Sequence, residues 1–230
     1  MKDSQKDLIT ASLKGIASQI PIVGGLATAY SEYENSTKIR RMEAFFTDLD
    51  KKFKSNQEKI DKDYIKTDEA AQLLEKVVRS ISEESDIEKR KLLTNYLLNS
   101  YSYRFSKKTE KLIILNAIQV MTPLQVFVLD LIRDHIPPDN VIIGSDYNPD
   151  ASDKPIIKYV SEKTIVEYFA SNNGIAAEEI EATLFSMMGQ GLLETHSTRG
   201  WTTVGGKMGI IGYRPTKLGL LVLEYLKENE

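Results

Sequence analysis

Apolar residues recur at helical spacing through the first half of the chain, and the rhythm changes near residue 121. Within residues 4–20, Leu8, Ile9, Leu13, Ile16, Ala17 and Ile20 mark one face, with Lys6 and Lys14 on others. Pro21 breaks or kinks this helix, and Gly24-Gly25 opens either a loop or a tightly packed helix start. From Ser36 the apolar positions Ile39, Met42, Phe46, Leu49 and Phe53 are spaced 3, 4, 3, 4, with Lys and Asp between them. Two heptads are too few for a coiled coil, so the seam predicts a helix packed in a bundle. The same five side chains are the candidate surface for self-association. A further helix carries Leu73, Leu74, Val77, Val78 and Ile81, with Asp68 or Thr67 as N-cap. Ser85 and Glu88 have capping-box spacing ahead of a helix whose buried face is Leu92, Leu93, Tyr96, Leu97 and Tyr101. One more helix is predicted from about 107 to 120.

Beyond residue 120, helices alternate with short strands. Thr122, Pro123 and Gln125 supply an N-cap, a first-turn proline and a capping partner for the helix PLQVFVLDLIRDH, which stops at Pro137-Pro138. VIIGSDYNPDASDKP is turn-rich and predicts a surface loop, with room for a short strand at its start. IIKYV predicts a strand, Ser161 caps the helix SEKTIVEYFASN, and Asn173-Gly174 ends it. Residues 176–190 form another helix, closed by Gly189 and Gly191. LLETHS and IIGYRPT are strands flanking the glycine-rich tip RGWTTVGGKMG, and KLGLLVLEYLKE is the last helix.

That order resembles a winged helix-turn-helix over about Met121 to Glu230. Its most specific fragments are GQGLLETHS, which joins the third helix to the first wing strand, and YRPTKLGLLVLEYL, in which a Thr caps a last helix opening with a Lys-x-Gly step. The whole layout, IPIVGGLATAYSEY, then KRKLLTNYLLNSY, then MTPLQVFVLDLI, is similar to the abortive-infection alpha proteins of bacteria, which are linked to phage defence. That resemblance brings no active-site motif. The expected fold is mainly α: an amphipathic, Gly-containing segment at 1–34, a helical bundle at 35–120 and a winged-helix-like α+β domain at 121–230.

Composition narrows the function. A charged share of 27% and an apolar share of 41% are those of a globular chain with a real core. The absence of cysteine excludes thiolate nucleophiles, disulfide scaffolds and cysteine zinc sites, and two distant histidines, His135 and His196, make no histidine-rich metal site. The start MKDSQKDL is unlike a signal peptide, and the uncharged stretch Gly15–Tyr30, with Gln19 and Pro21, falls short of the about 18–20 apolar residues that cross a bilayer. The expectation is a cytoplasmic protein. Asp134, His135 and Asp139 cluster around the Pro-Pro turn, where capping and turn formation account for them. Gly205-Gly206-Lys207 lacks the spacing and following helix of a phosphate loop. No catalytic residue, cofactor or metal is expected.

Charge also bears on nucleic acid. The net charge is −3, and residues 35–111, with eighteen bases against fourteen acids, hold the only basic excess. The helix that would enter a groove, AAEEIEATLFSMMGQ, begins with Glu178, Glu179 and Glu181 and has no base, so it repels phosphate. Arg199, Trp201, Lys207, Arg214 and Lys217 on and around the wing are the candidate contacts if nucleic acid is bound. Residues 8–30, with Gly15, Gly24, Gly25 and Ala27, are the candidate element for a membrane on activation. The favoured reading is a non-enzymatic interaction protein of phage defence or abortive infection. Its partner is protein, its own copies included.

Overall fold

A computed structural model describes residues 36–135, 141–143, 158–197 and 210–227. The expectations for residues 1–34, for Asp139 and for Arg199, Trp201 and Lys207 lie outside these described residues. The chain divides into two compact units: Met1–Val120 with Glu224–Glu230, and Met121–Leu223.

The first unit is helical. It contains α1 (Ser36–Ser55), a 3-10 turn at Tyr64–Lys66, α2 (Asp68–Glu83), α3 (Ile87–Ser100) and α4 (Lys111–Val120). Thr67 caps α2 by accepting from the Ala70 amide at 3.2 Å, and Asp68 and Glu69 complement the positive helix start. Asp86, not Ser85, caps α3: its carboxylate accepts from the amides of Glu88 and Lys89 at 2.7 and 3.1 Å. A carboxylate one residue nearer the first turn reaches both orphan donors at once. The last helix of the unit starts at Lys111 rather than 107, because residues 101–110 are held in turns. The Tyr103 and Asp61 amides bond to the carbonyls of Lys59 and Tyr101 at 3.0 and 2.8 Å, and Ser106 donates to Asp61 Oδ2 at 2.6 Å.

The seam of α1, the candidate surface for self-association, packs inside the chain. Met42, Phe46, Leu49 and Phe53 are between 0% and 3% exposed within a single chain, and Ile39 is half-buried. Phe46 lies 5.1 Å from the Phe45 ring and Phe53 6.0 Å from Tyr101. Two-heptad spacing specifies an apolar stripe but not what fills it, and here α2 and α3 do.

The second unit runs α5 (Pro123–Asp130, continued by a π turn at Leu131–His135), β1 (Val141–Ile143), β2 (Lys158–Ser161), α6 (Glu162–Asn173), α7 (Ala177–Gly189), β3 (Leu193–Ser197), β4 (Ile210–Pro215) and α8 (Lys217–Leu226), whose last residues belong to the first unit. The strands form a small antiparallel sheet in the order β1-β2-β4-β3, with Tyr213 between Val160 and Thr195. The Thr122–Gln125 capping box closes in both directions, at 3.2 and 2.9 Å, with Pro123 in the first turn. Ser161 caps α6, and Gly174 at φ 65° ends it in the left-handed region that favours glycine.

The two sequence fragments 189–197 and 213–226 meet at one joint. Thr216 Oγ donates to the Gly191 carbonyl at 2.6 Å and accepts from the Gly219 amide at 3.1 Å, capping α8. Gly219 lets the helix backbone lie directly on the Leu192 carbonyl, where a methyl group would collide.

Two substitutions read this packing. Gly219→Ala is expected to destabilise the chain by about 1–3 kcal/mol in urea melts, whereas Gly189→Ala, with open space around it, leaves stability unchanged or raised. Phe46→Ala is expected to cost about 3–5 kcal/mol with a midpoint independent of protein concentration. A midpoint that falls on dilution instead restores the intermolecular seam.

Candidate functional site

The outer face of α7 is the candidate site. Its inner face is Ile180, Leu184 and Met187, each 0% exposed and spaced i, i+4, i+7. Gln125 Nε2 donates to Ser186 Oγ at 3.1 Å, so the capping box that starts α5 also fixes the rotation of α7. The turn from α6 is fixed by Gly174 and by Phe169, which is fully buried and meets Phe127 edge-on at 5.2 Å.

With the inner stripe fixed, Glu178, Glu181, Ala182 and Phe185 line up on the outside, and Glu179 flanks them. All five are exposed, Phe185 at 56%. The N-cap of α7 is Ala176, which makes no side-chain cap, so Glu178 and Glu179 also offset the unpaired amides of the first turn. Between Lys163 and Arg199 the chain has no Lys or Arg, so no cation on α7 or its flanking turns neutralises this face. The arrangement is an acidic stripe ending in an open aromatic ring. It has no nucleophile and no convergent donors.

The sequence pointed to the glutamates but missed Phe185. The signal was there: Phe185 is about 140° round the helix from Ile180 and cannot share the inner stripe. Of the candidate nucleic-acid contacts, Arg214 forms an ion pair with Glu194 on the neighbouring strand and lies 5.1 Å over the Tyr159 ring. Its charge is already engaged within the unit. Lys217 is exposed in the first turn of α8. Tyr213 donates to Glu162 at 2.7 Å; burial, then this bond, pushes its phenol above the ordinary value.

The first unit holds a second polar cluster that the sequence did not signal. Lys111 is 2% exposed, and its ammonium donates to Glu69 at 3.0 Å and to the carbonyls of Ser106 and Lys108 at 2.8 and 2.5 Å, 4.5 Å over the Tyr64 ring. Tyr64 donates to the same Glu69 oxygen at 3.1 Å, Tyr96 to the Lys111 carbonyl at 2.6 Å and Tyr101 to the Ala70 carbonyl at 2.8 Å. Every ammonium proton is used, so this lysine is a clamp on the 101–110 turns rather than a reactive amine. Burial pushes the phenols of Tyr64, Tyr96, Tyr101 and Tyr225 above the usual range. A shallow groove of about 390 Å³ between α2 and α4 is lined by long polar side chains such as Gln72, Lys76 and Glu83, with Gln119 bonded to Ser80 at 2.6 Å. Among the described residues no three His, Asp or Glu are grouped to hold a metal. No single described helix is long and apolar enough to cross a membrane.

No family model, curated protein or solved structure matches this chain.

The buried phenols set an alkaline limit. Each has a folded-state pKa above its unfolded value of 10.0, so their contribution is complete below pH 10 and is lost as pH rises past it, because the unfolded chain gives up these protons first. The phenolate absorbance of these buried tyrosines and the loss of helical ellipticity are expected to rise together above that pH. Phenolate from these tyrosines appearing at full helix content would contradict their burial.

Proposed function

We propose that this chain is a non-enzymatic, cytoplasmic interaction protein whose second unit is a winged-helix-type module used for protein contact. The module reading rests on element order and pairing: a helix, two paired strands (β1 and β2), two helices and two strands, with β2 beside the last strand (β4) and a helix closing the run. The single observation that carries the functional reading is the exposed carboxylate triplet Glu178, Glu179 and Glu181 on the helix such modules present to DNA. Three acids there oppose the phosphate attraction that supplies most of a groove binder's affinity. The same face suits a cationic protein surface with an apolar recess for Phe185. The setting we propose is phage defence or abortive infection, and its support is the pattern shared with the abortive-infection alpha proteins.

The test uses the full chain and a fluorescent DNA duplex in anisotropy titrations at low and moderate salt. No saturable binding is expected of the natural chain, and Glu178→Lys with Glu181→Lys gains weak, salt-sensitive binding. Photo-cross-linking from position 185 in the native cell is expected to trap a discrete protein, lost in the double variant. Tight, saturable DNA binding by the natural chain refutes the reading.

A further inference from the structure

Helix α4 is apolar on both sides. Ile114, Leu115 and Ile118 are buried within the first unit, but Leu112, Ile113 and Val120 are exposed at 47%, 60% and 61%, and Asn116 is the only polar residue among its exposed positions. Ile113 and Val120 are seven residues apart and share one face. Lys89 Nζ donates to the Gln119 carbonyl at 2.6 Å, which brings the start of α3 to the end of α4 and adds Ile87, 61% exposed, to the same end of the unit. Isolated exposed apolar residues are ordinary; three on one ten-residue helix, with a fourth on its neighbour at the same end, are not.

We propose that the amino-terminal segment of the same chain, residues 8–20, packs along this strip. Three observations select that occupant. The first is position. In the first turns of α1, Arg41 donates to the carbonyls of Ser82 and Glu83, both at 3.1 Å, and Lys38 pairs with Glu83. The turn between α2 and α3 that follows carries Glu84, which pairs with Lys89 at 3.5 Å. The chain therefore enters α1 at the end that carries Ile87 and Val120. The second is reach. Residues 21–35 span up to about 50 Å when extended, and α4 is only about 15 Å long. The third is complementarity. Leu8, Ile9, Leu13, Ile16, Ala17 and Ile20 form an apolar stripe of helical spacing that needs an apolar surface. A tether of this length holds it at a local concentration of order millimolar, above that of a second copy. The packed segment covers its own stripe and the strip together, keeping both from solvent, membranes and other copies.

The chain has no cysteine, so one introduced thiol is a specific probe. Ile113→Cys in the full chain is expected to react with a maleimide roughly tenfold more slowly than Lys62→Cys, at an exposed position, as local opening then limits access. Adding Leu13→Asp and Ile16→Asp restores the fast rate, with circular dichroism confirming that the bundle is intact. Three results overturn the proposal: fast labelling at position 113 from the outset, slow labelling that quickens on dilution and so reports a second copy, or slow labelling indifferent to the two aspartates.

Discussion

Helix α3 is buried along its whole second half, and every polar group on it must find a partner inside the protein. From Leu93 to Ser100 no residue is exposed, yet Thr94, Asn95, Asn99 and Ser100 are polar. Thr94 and Ser100 return their hydroxyl protons to carbonyls four residues back, at 2.9 and 2.8 Å. Asn99 donates to the carbonyls of Tyr225 and Lys227, both at 2.8 Å, and Lys52 reaches Asn95 at 2.6 Å. The last carbonyls of α8, orphans by helix geometry, are thus satisfied by a side chain from the centre of the first unit. This requirement explains why residues 224–227 fold with the first unit although they follow the second in sequence. Lys111 meets the same demand just beyond the C-terminal end of α3, where its ammonium gathers the carbonyls of Ser106 and Lys108.

The second unit is governed by charge at its surface. Its inside is ordinary: apolar stripes from α6 and α7 under a small sheet, with Gly219 allowing one close backbone approach. Arg214 is engaged by Glu194 and Tyr159, whereas the three carboxylates at the start of α7 face solvent with no cation on their own helix. The proposal of a cationic protein partner rests on the sign of that face and on the exposed Phe185 beside it.

Local chemistry was legible wherever a residue acts on its own neighbours. Thr122 with Gln125, Ser161, Thr67 and Gly174 stand at the caps that their types and spacing predict. The cap of α3 fell one residue from the reading because Ser85 and Asp86 are both good caps, and only the backbone path selects between them. The α1 seam shows the limit more sharply. Its spacing requires an apolar partner, and a helix of the same chain and a second copy satisfy that requirement equally until the other helices are in place. Phe185 and the outer side of α4 passed unnoticed for a related reason: an apolar residue off the main stripe reads as core until its exposure is known.

What the sequence by itself determined is therefore local: the helices and strands, most of their ends, and the acidic sign of the outer α7 face. These depend on spacing, capping geometry and fixed charge, all carried within a few residues. The tertiary structure alone decided the burial of Lys111 and of the α3 asparagines, the assignment of 224–227 to the first unit, the use of the α1 seam inside one chain, and the exposure of Phe185 and of the α4 strip. Each of those depends on which surfaces meet, and burial is a property of the meeting rather than of either segment alone.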